Sequence, residues 1–446
     1  MIASSMCIVI LLLVYLCFVK GKLINDLSLM MTASVFLVSL FFPVLSMIVE
    51  PVTWRNLDGI DSGNLSYLQW QYFFFLLGCV IFTAFFGYKV DLVKQVESPR
   101  SSGKGFSINK REFFSLTLIV VGGTLYGYFI LSVGINNLIA IDVLSDKYEA
   151  ASGKGIFYIG LNFIILGILI AEHNSVSKKF RFFCRAAAIC VIVWALAYIH
   201  TRTYAAILLL GYFSIYITNQ QILISSIRFK YITWGLVLWL FLEMFSIGRS
   251  FISAGYGMQL AEMKVYLVEN VEETIGAVVG GSDFSHPFIT FWELSMNEEA
   301  GSLLGQGFLD GIKSVLPSVL VGDKPATTAQ WFVNKYYPDF AARGGGAASS
   351  LVGEIWLNFG AYVGPFIFGI LISFLIFIIQ LNAKRNENGL CSFLIPYLTL
   401  YALLFERAGL VATFKQTIYI IVPLTGLYFC FILLKNVGVH HMETNR

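Results

Sequence analysis

Apolar stretches of about 20 residues, the length that spans a bilayer core, recur along most of this chain and dictate what it can become. In lipid every backbone N–H and C=O must be satisfied within the protein, so such stretches fold as helices. They fall at 1–19, 28–49, 69–88, 113–134, 155–171, 184–200, 203–218, 231–248, 348–381, 392–405 and 417–434. The expectation is an all-α, polytopic membrane protein with roughly eleven transmembrane helices. A 446-residue chain that is 57% hydrophobic and 13% charged fits no soluble class. The run 348–381 is long enough to tilt or to break at Gly360 and Pro365. The first run lacks a basic leader and a small-residue cleavage site, so it reads as a retained span.

Orientation follows from the distribution of Lys and Arg, which mark the cytoplasmic side of short loops. One set of connections carries Lys20, Lys22, the cluster from Lys89 to Arg111, Lys178, Lys179, Arg181, Arg185, Arg228, Lys230, Lys384, Arg385, Lys435 and Arg446. The alternate set holds Arg55, Lys147, Lys154, Arg202, Arg407 and Lys415 before the one long loop is added, and in that loop six basic residues face eleven acidic ones. This bias puts the N-terminus outside, the C-terminus inside and one large loop outside. The chain therefore divides into a first bundle over 1–248, an outer loop over 249–347 and a last bundle over 348–446. The seven cysteines all lie in or beside apolar runs, with no metal or disulfide spacing. A net charge of +3 gives no footprint for nucleic acid.

The outer loop carries two aromatic clusters, Phe284, His286, Phe288, Phe291 and Trp292, and Trp331, Phe332, Tyr336, Tyr337 and Phe340. Aromatic faces suit the C–H side of a sugar, while Tyr and Trp edges suit its hydroxyls. The same rings serve equally as an interfacial belt or as the loop's own core. Both readings stand at this point.

Four arginines, Arg202, Arg249, Arg343 and Arg407, come to the same outer side although far apart in sequence. An arginine near lipid is costly and suits an anionic partner, above all a phosphate recognised in bidentate fashion. Snorkelling to the interface is the structural alternative, and Glu406 is placed to pair with Arg407. Arg343 precedes Gly344, Gly345 and Gly346, whose backbone N–H groups can approach an anion. Among acids within spans, Glu354 is placed about three turns into a helix after those glycines. There it can orient an arginine or a sugar hydroxyl or act as a base. Glu243 lies deeper and suits helix–helix hydrogen bonding. His286 is a further candidate base.

No phosphate loop, His-Glu-x-x-His motif, nucleophile elbow or Asp-x-Asp pair is present. ATP-driven transport, metalloproteolysis and nucleotide-sugar transfer are disfavoured accordingly. What remains is a site with no metal and no cofactor, in which guanidinium groups neutralise a departing diphosphate.

The layout resembles the Wzy-type polymerases of O antigen and related surface polysaccharides. The resemblance rests on the late outer loop, the Thr201-Arg202 turn, the Pro-rich segment from Leu316 to Pro325, the Gly353-Glu354 helix and the Arg407-Ala408-Gly409 turn. It implies a lipid-dependent glycosyltransferase, inverting or retaining, that moves a growing glycan from undecaprenyl diphosphate onto an incoming lipid-linked repeat unit. The place implied is the periplasmic face of the inner membrane. Arg202, Arg249 and Arg407, with Arg343, would bind the diphosphates, and Glu354 would orient the acceptor hydroxyl. Trp292, Trp331, Tyr336 and His286 would contact substrate. Asp58 and Asp61 in the first outer loop compete with Glu354 as base. The partners expected are the lipid-linked glycan, membrane lipid and a chain-length regulator. An O-antigen ligase, favoured by a base role for His286, and a lipid-linked sugar flippase are the rival readings.

Overall fold

Two helical cores make up the molecule, which is seen in a computed structural model. The structure describes residues 1–19, 22, 26–46, 62–87, 108–134, 159–174, 177–197, 203–220, 222–226, 233, 276, 285–316, 321–322, 325–342, 346–385 and 390–443. Helices α1 (Ile2–Val19), α2 (Leu27–Leu45), α3 (Ser62–Phe82), α4 (Ile108–Val133), α5 (Gly160–Asn174), α6 (Lys178–Ala197) and α7 (Thr203–Gln220) come first. The loop region contributes α8 (Ser285–Met296), α9 (Gln306–Val315), α10 (Thr328–Tyr336) and α11 (Pro338–Ala342). The chain closes with α12 (Leu351–Phe359), α13 (Val363–Arg385), α14 (Leu390–Leu403) and α15 (Phe405–Glu443).

Every expected apolar stretch carries helix except 231–248, of which only residue 233 is among the described residues. Among the described residues, five helices are long and apolar enough to cross a membrane: 2–19, 27–45, 62–86, 112–133 and 363–385. The stretches 160–172, 394–403 and 417–429 are apolar but shorter. This is a multi-pass membrane protein. Its outer faces agree, with Leu131 at 83% and Phe182 at 75% exposed, where lipid rather than water suits them.

The first core joins α1, α2, α3, α8, α10 and α12, and the second joins α4, α5, α6, α7 and α14 with the middle of α15. Helices α3 and α13 cross so closely that a Cβ on Gly369 would stand 2.2 Å from the Phe75 carbonyl oxygen. A Cβ on Gly78 would stand 2.3 Å from that of Phe366. Small residues permit this approach in membranes, where dispersion must do the work that water does elsewhere. Gly369→Ala has only backbone to push against. It is expected to destabilise by about 1–3 kcal/mol, read as a lower melting temperature in detergent. Gly127→Ala on α4, with nothing within 4 Å, should leave the melt unchanged.

Helix α8 is where the loop region meets the bundle. Its Phe288 stacks on Tyr72 with centroids 5.8 Å apart, and Phe291 meets Trp356 edge-on at 5.3 Å. Phe288, Phe291 and Trp292 of the first aromatic cluster are therefore core, while Phe284 lies outside the described residues.

Candidate functional site

Two helix amino ends meet where α12 packs against α15. One is the start of α12, after Ser349 and Ser350. The other begins beyond Gly409, where α15 is kinked with φ 72 and ψ 169. Gly360, at φ 78 and ψ −177, ends α12 before α13 starts. Both glycines occupy a backbone region open essentially to glycine alone. The break expected at Gly360 is present. Glu354, in contrast, lies in the first turn of α12 rather than three turns in, because the residues before Leu351 are not helical.

Each amino end receives a carboxylate from the other helix. Glu354 Oε2 accepts from the Val411 N–H at 3.2 Å and Oε1 from the Ser349 hydroxyl at 2.8 Å. Glu406 Oε1 accepts from the Ser350 hydroxyl and, at 3.5 Å, from the Val352 N–H. Ser350 Oγ also caps α12 by accepting from Gly353 N–H at 2.9 Å, and it pairs with the Tyr72 hydroxyl at 2.9 Å. A helix amino end is positively polarised and holds unsatisfied N–H groups, so a carboxylate there is favoured electrostatically. The exchange is reciprocal: α12 carries one acid and is capped by the other.

Arg407 stands between Glu406 and the Gly409 kink, half-buried, in the turn that this exchange fixes. The kink has a second reason beyond its dihedral angles. A Cβ at Gly409 would lie 2.4 Å from Glu354 Oε1 and 2.7 Å from Ser349 Oγ. The Arg407-Ala408-Gly409 motif is thus one unit, an arginine on a turn that needs glycine to admit the Glu354 carboxylate.

The other expected site residues divide. Arg202, Arg249 and Arg343 lie outside the described residues, as do Asp58, Asp61 and Glu243. Glu354 is 3% exposed with both oxygens occupied by protein donors. Both of these donors belong to the two amino ends, so the carboxylate is tied to the turn that carries Arg407. Trp292 is 4% exposed within the first core, which leaves no ring face for a sugar. Its burial follows from the helical spacing that puts Phe288, Phe291 and Trp292 on the inner side of α8. His286 sits half-buried near the start of α8, one turn before Thr290, whose hydroxyl bonds the His286 carbonyl.

Trp331 and Tyr336 remain partly exposed on α10, flanking Lys335, whose Nζ lies 5.0 Å and 5.3 Å from their ring centroids. Lys335 also pairs with Glu299, and the Tyr336 hydroxyl donates to the same carboxylate at 2.5 Å. Burial opposes the charge on Glu299, yet Lys335, Tyr336 and Ser302 hold its carboxyl below the ordinary range. This is an aromatic and ionic cluster with one cation already over its rings.

Sequence reasoning missed Tyr72, Ser349 and Ser350 and treated Glu406 only as a neighbour of Arg407. A Ser-Ser pair before an apolar helix is a legible cap signal. Tyr72, in an aromatic-rich span, gave none.

Residues 324–437 match the model of the family described as O-antigen polysaccharide polymerase Wzy. That segment contains α12 through most of α15, with both glycine breaks, Glu354, Glu406 and Arg407. The match supports the Wzy-type family, as the resemblance of the sequence implied. No curated protein and no solved structure matches the chain.

Proposed function

We propose, from the match of residues 324–437 to the Wzy family, that this protein polymerises lipid-linked glycan repeat units. The acceptor hydroxyl oxygen attacks the anomeric carbon of the donor glycan. The bond from that carbon to the diphosphate breaks, the diphosphate leaves on its polyprenyl carrier, and the hydroxyl proton passes to a base. The setting is the periplasmic face of the inner membrane, with undecaprenyl diphosphate as carrier.

Arg407, with Arg202, Arg249 and Arg343, is assigned to the diphosphates, where bidentate guanidinium contacts oppose the negative charge that grows as the bond breaks. Glu354 is assigned to holding the Arg407 turn. Trp331 and Tyr336 are assigned to the glycan. The observation that carries this reading is a buried acid exchange, inside the family segment, that holds an arginine on a glycine-kinked turn.

The test is direct. Purified protein incubated with a synthetic lipid-linked repeat unit, without nucleotide or added metal, is expected to yield a ladder of products differing by one unit. A single translocated but unextended species would favour a flippase, and transfer only to a lipid A core acceptor would favour a ligase.

A further inference from the structure

Glu406 is fully buried, and its surroundings suit a neutral acid better than an anion. One oxygen takes the Ser350 hydroxyl and the distant Val352 N–H; among the described residues the other has no hydrogen-bond partner. A buried charge with an unsatisfied oxygen costs more than a neutral acid with one unmade hydrogen bond. Glu354 nearby is served by two donors and is the better seat for the negative charge. Ser350 has one proton, which goes to Glu406, so the Tyr72 hydroxyl donates to Ser350.

We infer that Glu406 is a positioning residue that, as the protonated acid, fastens the turn bearing Arg407 to the amino end of α12 through Ser350. This rests on the polymerase reading for its consequence in catalysis, though not for its effect on the fold. Glu406 lies in the turn between the apolar stretches 394–403 and 417–429, outside both. Burial, opposed by the Ser350 and Val352 hydrogen bonds and the nearby Tyr72 hydroxyl and helped by Glu354, pushes its carboxyl up to about 8.

The titratable groups near it are Glu354 on α12, Tyr72 on α3 and the adjacent Arg407. On the other helices packed against α15, Glu293 of α8 bonds Tyr337, and Asp310 of α9 bonds Gln306 and faces Lys313. Tyr397 and Tyr401 of α14 bond one another, His286 is the remaining titratable group of α8, and α2 has none.

A raised folded value means the folded protein holds a proton that the unfolded chain releases. The stabilisation is complete below about 4.5 and is lost as pH rises through about 8. The wild type in detergent should therefore melt at progressively lower temperature from pH 5 to 8, and Glu406→Gln should flatten that decline. In the chain assay Glu406→Ala should lose about 100-fold in extension, the scale of a misplaced group. Glu406→Gln should restore extension at neutral pH and lack the wild-type fall above pH 8.

A melting profile in Glu406→Gln that tracks the wild type overturns the inference whatever the chain assay reads. So does a glutamine variant no more active than the alanine one. A flattened melting profile with no ladder from the wild type overturns the polymerase reading instead.

Discussion

Gly409→Ala is expected to abolish chain extension and to lower the melting temperature more than any other single methyl added to this site. Two effects combine. The backbone at φ 72 and ψ 169 is strained for any side chain, at about 1–3 kcal/mol. The new methyl also lands 2.4 Å from Glu354 Oε1, so the carboxylate must leave the Val411 N–H and the Ser349 hydroxyl. Hydrogen bonds to a charged group contribute about 1.5–3 kcal/mol each, and a buried carboxylate moved off its donors is left unpaired. Gly360→Ala separates the two effects. Its backbone is similarly strained, yet nothing lies within 4 Å of the added methyl. That variant should lose about 1–3 kcal/mol of stability and keep extending chains. Differential scanning fluorimetry of both variants, beside their product ladders, checks the comparison; equal losses would mean that the Glu354 contact is immaterial.

Arg407→Ala is expected to reduce chain extension by roughly 100- to 1,000-fold, the loss of about 2.7–4 kcal/mol that follows removal of a donor to developing negative charge. The melting temperature and the amount of protein in the membrane should change little, because Arg407 is half-buried at the edge of the acid exchange and is not one of its capping groups. Arg407→Lys keeps the charge but replaces a planar fork with a point charge, so it should recover only part of the activity. Normal chain lengths in Arg407→Ala would remove the arginine from the reaction. The same loss is expected for Arg202→Ala, since both residues are assigned to diphosphate.

Much of the fold was legible because lipid leaves a helix so few alternatives. The runs at 1–19, 28–49, 69–88 and 113–134 became α1 to α4 with small changes at their ends, and the break at Gly360 was marked by a glycine and a following proline. Residues 348–350 were harder: their apolar and small side chains extend the run, but the Ser350 hydroxyl takes the Gly353 N–H and starts the helix late. Trp292 misled because aromatic composition does not say which face of a helix is inward; α8 puts it in the core with Phe288 and Phe291. The acid exchange was the least legible part. Glu354 and Glu406 are 52 positions apart by number, and only the crossing of α12 and α15 shows that each caps the other's helix. The motif at Arg407 was visible as a pattern, while the reason for its glycine needed the Glu354 carboxylate.

The central claim is that the Arg407 turn holds the diphosphate of a lipid-linked glycan. A photoreactive polyprenyl diphosphate, crosslinked to the purified protein and mapped by peptide mass spectrometry, addresses it most directly. The label should fall on peptides carrying Arg407 and Arg202, be displaced by unlabelled undecaprenyl diphosphate, and disappear in Arg407→Ala while that variant still melts like the wild type. Labelling confined to other segments, or undiminished in Arg407→Ala, would contradict the account.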